Sequence, residues 1–223
     1  MRLIPTLLLA APALALATPA LASEDTQNWE TVNVTVGLPD NFKINSETVF
    51  RDSDARGFYE IEENLMVGKK LNKTVTVWLG YTFNPLYNNG TFRTREHRFR
   101  QQVNFDNFAK IGTVKLGGRV RLEERWRENA SGTGWRLRPQ IKASVPVVGK
   151  VNFNLSHESF INLNTTGFQT VSGYERMRNA ATISWPLTKQ IGVEVGYLNQ
   201  HGFVRNAPDT SDHVLTLGLS ATF

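Results

Sequence analysis

The chain has 223 residues, with 25 lysines and arginines against 20 aspartates and glutamates, a net charge of +5 and no cysteine. Lack of cysteine excludes disulfides, thiolate metal sites and lipid attachment through an N-terminal cysteine. The length fits one domain; a sequence pI near 9.6 would point to nucleic acid in a cytosolic protein, but the first segment of the chain argues against that partner.

Residues 1–22 read as a secretory signal peptide. Arg2 is a minimal positive region, Leu7–Leu16 is apolar, and Ala20-Leu21-Ala22 is an A-x-A cleavage site that leaves Ser23 as the first mature residue. Pro12 and Pro19 interrupt a run already too short to span a bilayer as a helix. No later run of about eighteen apolar residues occurs, so no transmembrane helix is expected. Behind a secretory leader, a basic surface suits anionic lipid, lipopolysaccharide or an anionic solute better than nucleic acid.

From there the chain alternates with period two, the signature of half-buried strands. Trp29–Leu38 sets Val32, Val34 and Val36 against Asn33 and Thr35, and Pro39-Asp40-Asn41 turns the chain into Phe42–Arg51. Phe58–Gly68 places Tyr59, Ile61, Leu65 and Val67 opposite Glu60, Glu62 and Asn64, with Glu63 spoiling the apolar side. Thr74–Phe83 is followed by a segment, Asn84–Arg93, whose Pro85 and Asn88-Asn89-Gly90 predict a loop. Glu96–Phe105 is less regular, because His97 and Gln101 fall on its apolar face, and 106–112 reads as a turn. Thr113–Arg127 alternates over fifteen residues, with Val114, Leu116, Val120, Leu122 and Trp126 on one face. That is long for a globular strand of about five or six residues and suits a tilted membrane strand. Trp135–Val145, Val151–Phe160, Tyr174–Trp185, Ile191–Val204 and His213–Phe223 complete the series. The last sets Leu215, Leu217, Leu219, Ala221 and Phe223 against Thr216, Gly218, Ser220 and Thr222.

The fold class expected is all-β: a transmembrane antiparallel up-and-down barrel over residues 23–223, located in the bacterial outer membrane. Short turns alternate with longer polar loops, as in such barrels. Aromatic residues near strand ends (Trp29, Tyr81, Phe83, Phe105, Trp126, Trp135, Trp185, Phe223) form a candidate pair of interfacial girdles. A strand ending in an aromatic residue resembles the closing strand of outer-membrane barrels, so Phe223 is the candidate contact for the membrane's assembly machinery. A soluble lipocalin-like barrel is the competing architecture; strand length and the girdles weigh against it. Eleven segments are counted, whereas bacterial single-chain barrels have an even number. The expectation is therefore ten to twelve strands, resolved to ten or twelve.

The motifs Arg119-Val-Arg-Leu-Glu-Glu-Arg-Trp126, Trp135-Arg-Leu-Arg-Pro139, His157-Glu-Ser-Phe-Ile-Asn162, Tyr174-Glu-Arg-Met-Arg-Asn179, Val193-Glu-Val-Gly-Tyr197 and His213-Val-Leu-Thr-Leu217 resemble a family of Gram-negative outer-membrane barrels catalogued as a domain of unknown function. The resemblance implies fold and location and carries no activity.

If the apolar face meets lipid, the charged face lines the lumen, where bases outnumber acids about two to one. Arg119, Arg121, Arg125, Arg136, Arg138, Arg176 and Arg178, with Glu123, are the candidate lumen or anion-binding residues. Two readings stay open: a packed Arg–Glu lattice that plugs a narrow barrel, or a hydrated, anion-selective path lined by guanidinium groups. A third uses His157 and Ser159, two residues apart on the outward face. This His-x-Ser pair resembles that of outer-membrane phospholipases, but their following Asn-Gly is replaced by Phe160-Ile161, and the sequence shows no orienting asparagine at a fixed spacing. The chain is accordingly not expected to be an enzyme. The four histidines lack metal-ligand spacing and no glycine-rich phosphate loop opens a helix, so no metal or cofactor is expected.

Overall fold

The computed structural model describes residues 23–223, so the expected signal peptide, residues 1–22, lies outside the described residues. Eleven strands hydrogen-bond in chain order into a closed barrel: β1 (Ser23–Gly37), β2 (Phe42–Ser53), β3 (Gly57–Lys70), β4 (Val75–Asn88), β5 (Thr91–Ile111), β6 (Val114–Arg127), β7 (Gly134–Val148), β8 (Val151–Asn162), β9 (Gly173–Pro186), β10 (Ile191–Gly202) and β11 (Thr210–Thr222). A single 3-10 turn, Pro39–Asn41, joins β1 to β2.

Eleven lies within the expected range, but the even-number expectation is corrected. An odd count sends the first and last strands in the same direction, so the wall can close only through a parallel pair. β1 and β11 form that pair in continuous register from Ser23 beside Thr210 to Thr35 beside Thr222. Phe223 extends it, its N–H donating to the Thr35 carbonyl at 2.9 Å and its own carbonyl accepting from Gly37 at 2.8 Å. A parallel pair is slightly weaker per residue than an antiparallel one. Here it satisfies two edges that would otherwise stand open.

Two connections differ from expectation. The segment 84–93 is not a loop: β4 and β5 run to a two-residue hairpin at Asn89-Gly90, both with positive φ (47° and 72°). Asn-Gly takes that left-handed pair readily, and it matches the twist of the flanking strands. The segment 106–112 mostly continues β5, with the register broken between Phe105 and Ala109 and Asn107 at φ 48°. The connections 54–56, 89–90, 128–133, 163–172 and 203–209 gather at one end, the loop end; 38–41, 71–74, 112–113, 149–150 and 187–190 gather at the other, the turn end.

Polarity is distributed inside out. Leu65, Leu79, Leu155, Leu215, Leu217 and Leu219 stand exposed on the outer wall, whereas Arg100, Glu96 and Glu123 are among the most completely buried side chains. Among the described residues, the buried apolar cluster is Trp29, Val49 and Val214, with Leu198 packed against it. Trp29 therefore leaves the expected girdle. It points inward between the guanidinium groups of Arg51 and Arg178, 4.3 and 4.5 Å from its ring. Tyr59 is also corrected to the inside: an irregularity beside Arg51 and Asp52 shifts the start of β3, and its hydroxyl donates to Gln27 at 2.7 Å. Gly68 lets the Trp78 ring lie across β3, since a Cβ there would stand 2.4 Å from the indole.

Candidate functional site

Alternation turns every second residue of β2 to β9 into the lumen, and inward arginines on neighbouring strands meet inward glutamates at a few shared carboxylates. Glu123 on β6 receives Arg136 at 2.6 Å and Arg138 at 2.8 Å from β7, and lies 3.2 Å from Arg100 Nε on β5. Glu62 on β3 receives Arg100 at 2.6 Å, Arg98 at 3.1 Å and Arg51 at 3.2 Å. Glu96 collects Arg98, Arg125 and Arg127 at 2.6 to 2.9 Å. Glu158 on β8 bridges Arg119 at 2.8 Å and Arg138 at 3.0 Å. Each carboxylate serves two or more planar guanidinium forks, and this is how a dry interior can hold many charges of one sign.

The structure brings most of the expected residues together. Arg121, Glu123, Arg125, Arg136 and Arg138 are buried in the network, while the Arg119 and Arg176 side chains are partly exposed at 24% and 32%. Arg121 makes its short bond to Gln102, at 2.6 Å, and approaches Glu123 only at 3.9 Å. Arg178 stands apart. It donates to Gln200 at 2.9 Å and covers the rings of Trp29 and Phe160, but among the described residues no carboxylate lies within 4.0 Å of it.

Of three further members of the site, the sequence reading placed two inside without their partners and missed the third. Glu62 and Arg100 are visible as inward charges, but their central position follows from register, which alternation alone does not give. Gln169 sits in the connection 163–172, where no periodicity signals an inward residue. It folds back to accept from Arg125 at 2.8 Å and donates to the carbonyls of Trp135 and Asn164. Phe168 beside it caps Arg125 and Arg127.

Cavities remain within and at both ends of this network. One of about 530 Å³ at the loop end includes Arg51, Glu62, Arg138 and Arg178 in its wall. The same four residues line a central cavity of about 180 Å³, with Arg119, Arg121 and Glu158. Thr31 and Glu47 of that wall also line a turn-end cavity of about 590 Å³. Arg51, Arg119 and Arg138 each hold a buried Nε–H without a protein acceptor.

On the outer wall, His157 and Ser159 meet as their spacing suggested, His157 Nε2 lying 3.1 Å from Ser159 Oγ. The missing asparagine is supplied by the next strand. Asn179 of β9 is paired with His157, and its Oδ1 lies 2.8 Å from His157 Nδ1. No spacing rule within one strand could have found it.

The family model described as "Protein of unknown function (DUF2490)" matches residues 26–211. An uncharacterized protein of Methylorubrum extorquens is 30% identical over 156 residues, covering 69% of this chain and 68% of that protein. No solved structure matches the chain. With the barrel, its inward Arg–Glu network and a match across most of its strands, the chain belongs to the DUF2490 family.

Proposed function

We propose that the chain is an outer-membrane β-barrel whose lumen forms a narrow path for small anions. The outer wall is apolar where a bilayer's hydrocarbon would meet it, and a closed barrel leaves no backbone group unpaired there. Residues 1–22 deliver the chain across the inner membrane, lipid and lipopolysaccharide surround the wall, and the strand ending in Phe223 is the segment presented to the assembly machinery. The central cavity carries the functional reading. In its wall three arginines keep unpartnered N–H groups and Arg178 has no carboxylate partner. An anion entering from the loop end would meet Arg178 and a wall in which arginines outnumber glutamates, while a cation would meet that surplus positive charge.

The second reading, a barrel closed by its lattice with a structural or binding role, is favoured by one observation: Arg100 and Glu123 have no exposed surface. Recording from the folded protein in planar bilayers separates the two. The path predicts small, steady, anion-selective currents whose reversal potential moves toward cation preference in Arg178→Glu. Absence of current from protein that migrates as a folded barrel establishes the closed lattice instead.

A further inference from the structure

Among the described residues, three of the four histidines make no side-chain hydrogen bond to a serine. His97 and His213 each meet a tyrosine hydroxyl through Nδ1, from Tyr81 at 2.5 Å and Tyr197 at 2.6 Å. His201 meets the Asp209 carboxylate. His157 alone stands between a hydroxyl and an orienting group. An amide oxygen can only accept, so Asn179 Oδ1 requires the proton on His157 Nδ1 and leaves Nε2 as a base facing Ser159. Ser159 Oγ then donates to Nε2 and accepts from the Tyr174 hydroxyl at 3.0 Å. Tyr174 reaches that position because β9 carries an extra residue, Glu175, opposite Phe160–Ile161. Every donor in the chain Tyr174, Ser159, His157, Asn179 has one direction available. This is the nucleophile–base–orienter arrangement of acyl-transfer sites.

Its surroundings point to the substrate. The four side chains project from the outer wall, away from the lumen. Along β8, Leu155 continues their outward row toward the turn end, and the paired position on β9 is Ala181. A groove of about 470 Å³ runs across the wall from His157 and Asn179, floored by Ala143 and Ala181 and flanked by Ile141 and Leu155. The small alanines make the depression; the larger neighbours give it apolar sides. On a wall set in lipid, the groove fits one occupant, an acyl chain; His157 and Asn179 line its end, and Ser159 lies just beyond them, 3.1 Å from His157.

We propose that Ser159, His157 and Asn179 form a hydrolytic triad for acyl esters of membrane lipids. Ser159 Oγ attacks the ester carbonyl carbon as its proton passes to His157 Nε2, and the Tyr174 hydroxyl donates to the oxygen that gains negative charge. The tetrahedral adduct collapses, the bond to the lipid alcohol breaks, and that alcohol takes the proton from Nε2. Water then attacks the acyl-serine, giving a proton to His157; the acyl–Oγ bond breaks, the fatty acid leaves and Ser159 recovers its proton. No redox change occurs and water is the only co-reactant. The proposal rests on the outer wall meeting lipid and is independent of any passage through the lumen.

The test uses the full mature chain, folded in detergent and mixed either with phosphatidylethanolamine or with lipid A, and measures fatty acid release. A fluorophosphonate probe reports the activated serine in parallel. Release from one or both lipids with labelling at Ser159 is expected, and the lipid that is cleaved identifies the source of the ester. Ser159→Ala should lower release by about 10³-fold or more, to background. Asn179→Ala should cost about 10- to 100-fold, and Ser46→Ala, an outward serine on β2, should leave it unchanged. Heat-modifiable wild-type protein that neither releases fatty acid nor reacts with the probe overturns the triad while leaving the barrel intact. Release that survives Ser159→Ala overturns it as well. Recovery of the chain as a soluble protein would remove the membrane reading and the triad together.

Discussion

Glu123 and Glu96 are both bonded by several arginines, yet single substitutions around them should differ widely in effect. The Glu123 side chain has no exposed surface, and Arg136 and Arg138 beside it are 5% exposed. Glu123→Gln keeps the shape and removes the charge, leaving three guanidinium groups to share neighbouring carboxylates in a site water reaches poorly. Breaking a buried pair from one side costs about 3–5 kcal/mol, and that loss is expected in urea unfolding of the barrel in vesicles. Arg127→Gln removes a partner of Glu96 whose side chain is 28% exposed; solvent screens such a pair, and the expected cost is about 0–1 kcal/mol. Similar losses for the two variants would mean that water fills the lumen around Glu123 as freely as at the rim.

The seam between β1 and β11 is the element on which the architecture turns. The chain contains no cysteine, so Val32→Cys with Leu219→Cys places a single pair at adjacent, outward-facing positions of the parallel register. Oxidation should join the two strands and speed migration of the heat-unfolded chain, because the disulfide closes nearly the whole barrel into a loop. Better joining of Val32 to a β11 position two residues away, or none in folded protein, would refute the register. The strands themselves were legible because alternation is local: which residues face in on β2, β6 and β7 can be read from side chains two apart. Parity was legible as a count of eleven segments and was lost only to the even-number rule. What stayed hidden is the reach of β1 back to Ser23, since Ser23–Asn28 holds no apolar residue to set an alternation and Gln27 and Trp29 point inward to Tyr59 of β3. Trp29 and Tyr59 misled for different reasons: Trp29 lies near a strand end as a girdle residue would, although its indole N–H serves a polar interior, and the irregularity at Arg51 and Asp52 carries Tyr59 out of its period. The triad was half legible, His157 and Ser159 by spacing, Asn179 only through the β8–β9 register.

For the whole molecule, the deciding fact is that its apolar surface is outside. A soluble barrel buries its apolar face and solvates its charges; this one packs arginine against glutamate at its centre and shows leucine, isoleucine and valine to its surroundings. In water, so large an apolar wall would drive aggregation. In a bilayer the same wall is matched, and the polar interior never meets hydrocarbon. The alternative is that a second copy or another protein covers the wall, but the exposed leucines encircle the barrel from β3 and β4 through β8 to β11, which no single flat interface could cover. The mature chain should therefore co-fractionate with outer membranes, resist extraction by high salt or alkaline carbonate, and require detergent for release. Unheated, it should migrate differently on a denaturing gel from the boiled chain, because a closed ladder of strands persists in detergent until heat opens it. Release by carbonate alone would show that the wall is covered by protein rather than by lipid.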